Sequence, residues 1–320
     1  MGVKRIIKNG SQKASITLSQ AFEGFILEKE ARNRSEATLR NYRQSFEYFV
    51  QFTELTYAKE VTEEQFFDWI TTMKKEGVKP ASINHYLRDC RAFFYWCMKK
   101  GYIKTAFTIN MIGGQEEQPK TFNDTELASL LEKPRKKDSF VDWRAWAIVN
   151  WILATGNRES TVCSIKLGDI DYISKEITLR HTKNKKAQII PLSPSLEAAI
   201  KEYVRLWRSE EDEEAWLFPS VADEQLTTNA LRHSFARYCR EKEVTKTSLH
   251  GLRHSFAKGW VKNNGNTFAL QKILGHSTLD MTKRYVKLFS DDIKEDYDKF
   301  SPLDTITKTN NRTHLVKRRG

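Results

Sequence analysis

The sequence predicts a mainly α fold with a small β-sheet, divided into two domains. Three observations predict it: apolar residues recur at helical spacing over most of the chain, two short β-prone runs flank a polar turn, and a stretch without apolar periodicity separates two helical regions. A chain of 320 residues is long enough to build two domains with cores of their own.

The first domain is predicted as a helical unit over residues 15–103. Ser35-Glu36-Ala37-Thr38 is typical of a helix N-terminus and precedes apolar positions at helical spacing. Pro80-Ala81-Ser82 opens a further helix that ends at Gly101. We expect the apolar stripes to form the core. The opposite faces carry arginines that could contact phosphates, namely Arg40, Arg43, Arg88 and Arg91.

Residues 104–121 are predicted to be an interdomain linker, because Gly113-Gly114 and Pro119 stand among polar residues with no apolar period. The chain is expected to begin with a basic segment, residues 1–14, and to end with a flexible basic tail, residues 301–320.

The second domain is predicted over residues 122–300. One helix begins near Asn123-Asp124, and an apolar helix stops at Thr155-Gly156. The period then changes at two β-prone runs, residues 176–182 and 187–192, which predict a hairpin around Lys183-Asn184-Lys185-Lys186 before helices resume.

Composition excludes several classes of protein. No apolar run is long enough to cross a bilayer, and the first residues do not form a signal peptide. The four cysteines form no CxxC pair, so we expect buried thiols in a reducing cytoplasm.

The net charge of +12 suggests a polyanionic partner. Each terminal stretch of 20 residues supplies +4 of it, so the rest of the chain carries only +4. The acidic run Glu210-Glu211-Asp212-Glu213-Glu214 is expected to be a solvated loop. Charge alone therefore leaves nucleic-acid binding open.

One hexapeptide is nearly written twice. Leu-Arg-His-Ser-Phe-Ala occupies residues 231–236 and again 252–257. Only the second copy is preceded by His250 and followed by Leu274-Gly275-His276 and then Tyr285. We therefore assign the second copy to a site, and Arg232 and His233 of the first copy to packing or DNA-backbone contact.

The residues around the second copy suit chemistry on a phosphodiester. Arg158 follows a helix-ending glycine, and with Arg253 it supplies two guanidiniums that can clamp the oxygens of one phosphate. Phosphoryl transfer builds charge on those oxygens, which pre-placed cations stabilise. His250 lies three residues before Arg253, on the same helical face.

These residues resemble the tyrosine recombinases, also called phage integrases, which include the Xer enzymes. The resemblance covers the second domain and, more loosely, the N-terminal helices around residues 35–42. It implies a SAM-like core-binding domain and a catalytic domain that form a C-shaped clamp around duplex DNA. The family pattern is matched in order by Arg158, Lys183, His250, Arg253, His276 and Tyr285.

The resemblance also implies the role of each residue. Tyr285 attacks a DNA phosphate to give a 3′-phosphotyrosyl link and a free 5′-hydroxyl, so neither a metal nor a high-energy cofactor is needed. The two arginines stabilise the transition state, and Lys183 protonates the leaving 5′-oxygen. His250 helps to move the tyrosine proton, and His276 hydrogen-bonds the phosphate.

The partners implied are double-stranded DNA at a specific recombination site, three further copies of the chain in a homotetramer, and an accessory DNA-bending or directionality factor. Residues 291–300 are expected to form a helix that reaches a neighbouring protomer. The short segment before the first domain favours an Xer-like or mobile-element enzyme over one with an arm-binding domain.

Alternatives remain at this point. The chain could be a type IB topoisomerase that relaxes DNA, or a catalytically silent DNA-binding regulator. His250 and His254 have the i, i+4 spacing of a zinc helix, but the Glu of His-Glu-x-x-His is absent. The chain also departs from the family at Thr161, where an acidic residue is frequent, with Glu159 nearby instead. Other residues compete for two of the roles, namely Lys185 and Lys186 with Lys183, and Tyr238 and Tyr297 with Tyr285.

Overall fold

The computed structural model describes residues 15–114, 119–180 and 187–276 and, beyond these, Thr278, Leu279, Thr282, Lys283 and Tyr285. The chain divides into two compact units, Met1–Glu117 and Gln118–Gly320. The predicted basic segment 1–14 and the predicted tail 301–320 lie outside the described residues.

The described part of the first unit is helical, and its sequence caps fix where the helices begin and end. Ser35 caps α2 by accepting from the Thr38 amide at 3.3 Å. Pro80 is the first residue of α4, and Gly101 ends it in the left-handed conformation. These boundaries confirm the sequence predictions. The helices are α1 (Leu18–Ala31), α2 (Glu36–Thr53), α3 (Glu63–Lys75) and α4 (Pro80–Lys100).

The core of this unit is rich in aromatic rings. The rings of Phe22 and Phe46 stack at 3.9 Å, and that of Phe93 meets both edge to face. The chain after α4 continues along this core, where Ile109 is 1% exposed and Asn84 exchanges two hydrogen bonds with the main chain of Ile112.

The second unit is built around α6, a helix that is apolar on nearly every face. It packs against α5, α8, α9 and α10, which accounts for its all-round hydrophobicity. Asn123 caps α5 and Gly156 caps α6, as the sequence predicts. The helices described in this unit are α5 (Asp124–Leu131), α6 (Phe140–Thr155), α7 (Glu159–Val162), α8 (Pro194–Trp207), α9 (Thr228–Glu241), α10 (Leu249–Lys262) and α11 (Thr267–Leu274).

A small antiparallel sheet follows α7, with strand order β1 (Ile170–Asp171), β2 (Glu176–Leu179) and β3 (Gln188–Pro191). Ile177 pairs with Ile170 on one side and with Ile190 on the other, so that one apolar row faces the core. The sequence predicted β2 and β3, but it gave no signal for the two-residue β1. The predicted mainly α fold with a small sheet is confirmed.

Three smaller predictions can also be compared with the structure. Residues 210–214 are exposed and lie outside any helix or strand, as predicted. All four cysteines are free and buried. Among the described helices, none combines the length and apolarity needed to cross a bilayer.

Candidate active site

The chain turns sharply where α6 ends, and this turn places Arg158. Gly156 adopts a left-handed φ of 62°, and Asn157 is anchored because its side chain accepts from the Trp151 indole at 2.9 Å. Arg158 then stands at the start of α7, half-buried, with Nη1 donating to the Leu274 carbonyl at 3.3 Å. Burial lowers the pKa of Arg158.

Arg253 projects from α10 into the same region and is 3% exposed. Its Nη1 donates to the Gly156 carbonyl at 2.6 Å, and its Nη2 donates to the Leu274 carbonyl at 2.9 Å. Burial, followed by the positive charge of Arg158, lowers the pKa of Arg253 to about 10, so it stays charged at neutral pH. Both guanidiniums are thus anchored by one main-chain oxygen at the end of α11, where the helix dipole attracts cations.

His276 follows α11 and lies against Arg253. Its Nε2 is 3.0 Å from Arg253 Nη2, and its Nδ1 is 2.9 Å from the buried Thr282 hydroxyl. Because a guanidinium can only donate, Nε2 accepts and the ring proton sits on Nδ1. Burial and the positive charges of Arg253 and Arg158 lower the pKa of His276 to about 4, so the ring is neutral at pH 7.

Tyr285 lies in helical backbone and is 5% exposed. Its ring is parallel to that of His276 within 6°, with centroids 6.2 Å apart. Its hydroxyl is 2.7 Å from Nδ1 of His254. The His254 ring in turn meets the His250 ring nearly edge to face at 4.3 Å. Partial burial and the charge of Arg253 lower the pKa of His250.

A cavity of about 240 Å³ opens beside these groups. Arg158, Arg253 and His276 line it, together with Gln188 at the start of β3. Gln188 ties the sheet to α11 because its side-chain amide donates to the Lys272 carbonyl at 2.6 Å. The cavity is therefore a cationic pocket with hydrogen-bond donors, which suits a phosphate.

The structure thus brings five of the predicted site residues into one linked group: Arg158, His250, Arg253, His276 and Tyr285. Lys183, like Lys185 and Lys186, lies outside the described residues, as do Tyr297 and the predicted helix at residues 291–300. Tyr238 is 2% exposed in the core of the unit, where its hydroxyl donates to the Leu130 carbonyl at 3.0 Å.

The predicted DNA-contacting arginines lie in the other unit, two on α2 and two on α4. Arg40, Arg88 and Arg91 are exposed. Arg43 is paired with Glu30 of α1 at 3.0 Å, and the Arg91 guanidinium lies over the Tyr95 ring at 5.9 Å.

The sequence interpretation missed two site residues, His254 and Thr282. His254 had a visible signal, since it lies four residues after His250 on the same helical face. Thr282 had none, because its contact with His276 depends on how the chain turns after α11.

Thr161 is 6% exposed and also lines the cavity, whereas the Glu159 carboxylate is held by Arg232 at 2.7 Å. Within the part of the chain that the structure describes, no group of three or more His, Cys, Asp or Glu residues is placed to hold a metal ion.

Comparisons with known proteins agree on one family. A profile described as "Phage integrase family" matches residues 120–291, and one described as "Phage integrase, N-terminal SAM-like domain" matches residues 25–101. The tyrosine recombinase XerC of Thermodesulfovibrio yellowstonii is 26% identical over 284 residues, covering 86% of this chain and 93% of the relative. That of Bacillus subtilis is 26% identical over 278 residues, covering 83% and 90%.

Solved structures share the fold. The Tn1549 transposon integrase in complex with transposon right end DNA has a TM-score of 0.73 at 20% identity, covering 89% of this chain and all of that one. A lambda integrase tetramer bound to a Holliday junction has a TM-score of 0.67 at 17% identity, covering 85% and 78%.

Proposed function

The chain belongs to the phage integrase family, and on that premise we propose that it is a site-specific DNA recombinase that cleaves and rejoins duplex DNA. One observation carries the proposal: a buried guanidinium (Arg253), a half-buried guanidinium (Arg158) and a neutral histidine line a cavity of about 240 Å³ beside a buried tyrosine. Such a site offers both a nucleophile and fixed positive charge for a phosphodiester.

The arginines suit transition-state stabilisation because the main chain has already positioned them. Each guanidinium has five N–H donors, and the carbonyl contacts of Arg158 and Arg253 use only some of these. The remaining donors serve the non-bridging oxygens of the scissile phosphate. His276 joins them, since its neutral ring can bind the phosphate by reorienting from its contact with Arg253.

In the proposed reaction Tyr285 Oη attacks phosphorus, the bond from phosphorus to the 5′-oxygen breaks, and a 3′-phosphotyrosyl link holds the cut strand. The bond energy is kept for rejoining, so the reaction needs no high-energy cofactor. Lys183 remains the proposed acid for the 5′-oxygen on sequence grounds alone.

The helical unit is proposed to bind the same DNA through Arg40, Arg43, Arg88 and Arg91, whose charges favour phosphate contacts.

We further propose a homotetramer on two DNA sites, with residues 291–300 reaching a neighbouring protomer. A bacterial or phage-encoded enzyme working in the cytoplasm fits the four free cysteines.

The biological role is proposed as dimer resolution or as integration, excision or transposition of a mobile element. The XerC relatives favour the first, and the likeness to the Tn1549 integrase favours the second. The XerC relatives are named tyrosine recombinases, which favours strand exchange over the relaxation expected of a type IB topoisomerase. A supercoiled plasmid without a recombination site separates the two, because only a topoisomerase relaxes it.

The test of the nucleophile is covalent capture. A binding site is first selected from random duplexes, and a nicked suicide substrate carrying it is then incubated with wild type, Tyr285→Phe and Tyr297→Phe. We expect an adduct with wild type and with Tyr297→Phe but none with Tyr285→Phe. Peptide mass spectrometry should place the nucleotide on Tyr285. An adduct that persists in Tyr285→Phe would overturn the proposal.

A further inference from the structure

The two copies of the hexapeptide put chemically identical histidines into different surroundings. His233 of the first copy, on α9, is exposed. His254 of the second copy, on α10, is half-buried between His250 and Tyr285. The resemblance to known recombinases assigned no role to either histidine.

His254 contacts the atom that is proposed to attack DNA. Its Nδ1 is 2.7 Å from Tyr285 Oη, a short distance for a bond between an oxygen and a nitrogen. A phenol donates its single proton, and a neutral imidazole accepts at one ring nitrogen. The bond therefore runs from Oη to Nδ1 when His254 carries its own proton on Nε2.

The groups around His254 decide how readily it takes up a proton. The His250 ring faces His254 from one turn earlier on α10, and the Tyr285 ring faces it from a later part of the chain. His276, which follows α11, interacts with His254 electrostatically. The positive charges of Arg158 and Arg253 lower the pKa of both His250 and His276. The negative charge of Glu159 acts against this by raising the pKa of His250.

We propose that His254 is a catalytic residue of this reaction: the group that accepts the Tyr285 proton directly. The inference rests on the proposed function and deepens it. Family resemblance assigns His250 to moving this proton, but the hydrogen bond from Tyr285 goes to His254. The His250 ring packs against the His254 ring, so His250 is then a positioning residue for His254.

The proton balance is complete. As the bond from Oη to phosphorus forms, the phenolic proton passes to His254 Nδ1 and the ring becomes an imidazolium. The 5′-oxygen leaves with a proton from a separate acid. In rejoining, the 5′-hydroxyl attacks phosphorus, the bond to Oη breaks, and His254 returns its proton to the departing phenolate.

The test uses the full chain and the nicked suicide substrate described above, with adduct formation followed in a single turnover. His254→Asn places an amide oxygen near the position of Nδ1, so it can accept a hydrogen bond but cannot take the proton. His233→Asn is the matched control, because it makes the same change in the same sequence context on an exposed position. Melting temperature and DNA affinity establish that each variant folds and binds.

We expect His254→Asn to cleave about 10²–10⁴-fold more slowly than wild type, the range for general acid–base catalysis. The rate of His254→Asn should keep rising with pH up to the ionisation of the Tyr285 phenol. The wild-type rate should instead stay constant once His254 is deprotonated, and it should fall at lower pH, where a protonated His254 cannot accept the proton. His233 is assigned to packing or DNA-backbone contact, so His233→Asn should keep the wild-type pH profile, and any loss should appear in DNA affinity instead. Wild-type rate and pH profile in a folded His254→Asn variant would overturn the inference.

A second substrate distinguishes a general base for Tyr285 from a general acid for the 5′-oxygen. When a bridging sulfur replaces the 5′-oxygen, the leaving thiolate departs without needing a proton, so defects in the acid are relieved. The deficit of His254→Asn should persist on this substrate, and its rescue would contradict the assignment. If wild type itself forms no adduct on either substrate, the proposed function fails rather than this inference.

Discussion

Arg253 Nη1 lies 2.6 Å from the carbonyl oxygen of Gly156, which joins the middle of α10 to the turn that ends α6. The carbonyl can point at the arginine because Gly156 adopts a left-handed backbone. One glycine thus serves two purposes, since the same turn delivers Arg158 to the cavity two residues later.

Gly156→Ala should lower both the free energy of unfolding and the rate of DNA cleavage. A methyl group there would lie 2.5 Å from Phe256 Cδ1 and 2.7 Å from Leu274 Cδ2, in addition to the backbone strain. We expect a loss of about 2–4 kcal/mol in the free energy of unfolding, measured with urea. Gly101→Ala is the control, because Gly101 has a similar φ but nothing within 4 Å of the added methyl. Its loss should be about 1–2 kcal/mol. Equal losses for the two variants would contradict the packing argument.

Arg253→Lys should abolish most cleavage while the fold survives. A single ammonium cannot reach the Gly156 carbonyl, the Leu274 carbonyl and His276 in the geometry of a planar fork. We expect adduct formation to slow by about 10²–10³-fold. Arg232→Lys makes the same change at the matching hexapeptide position, where an exposed side chain pairs with Glu159. Lysine keeps the positive charge for any contact with the DNA backbone, so adduct formation should slow little. A comparable loss in Arg232→Lys would argue against a special role for the buried arginine.

His276 should make the fold sensitive to acid. Its folded pKa of about 4 lies below the ordinary value of 6.5, so the folded chain binds fewer protons than the unfolded chain between these values. Stability is therefore lost as the pH falls through that window. His276→Gln keeps an acceptor for Arg253 but does not titrate, so its melting temperature should fall less steeply from pH 6.5 to 4. Parallel curves for His276→Gln and wild type would show that the histidine does not couple to folding.

Two buried tyrosines should respond differently to losing their hydroxyl. No hydrogen-bond partner for the Tyr203 hydroxyl is found among the described residues, whereas the Tyr238 hydroxyl donates to Leu130. Tyr203→Phe should be neutral or stabilising, and Tyr238→Phe should cost about 1 kcal/mol, both read from urea unfolding. A larger loss in Tyr203→Phe would indicate that its hydroxyl is satisfied by bound water.

The helical unit should contribute to DNA affinity through its exposed arginines. Arg40→Gln and Arg88→Gln should each weaken duplex binding and reduce the slope of log affinity against log salt by about 0.9 for one lost phosphate contact. Arg43→Gln should change the slope less, because Glu30 already pairs with this guanidinium. Lys74→Gln, at an exposed position on α3, is the control. Unchanged slopes in Arg40→Gln and Arg88→Gln would remove these residues from the interface.

Local chemistry explains why much of the fold was predictable. The caps at Ser35, Asn123 and Gly156 act on backbone groups within a few residues, so they can be read directly from sequence. The two residues of β1 were missed because they are too few to show any alternation.

The contacts of the site were less predictable for a related reason. Arg232 and Arg253 have identical neighbours in sequence, yet one is exposed and the other buried, because α9 and α10 turn different faces to the core. The bond between His254 and Tyr285 spans 31 residues and depends on where the chain returns after α11. Spacing can suggest such residues, but only tertiary structure pairs them.

The oxygen that both active-site arginines share belongs to the main chain of Leu274. No substitution at that position can delete this oxygen, although the Leu274 side chain itself is 1% exposed and packs in the core. The anchor of the cationic pocket therefore depends on where α11 ends, and substitutions at the exposed residues of this helix should leave it in place as long as that end point is kept.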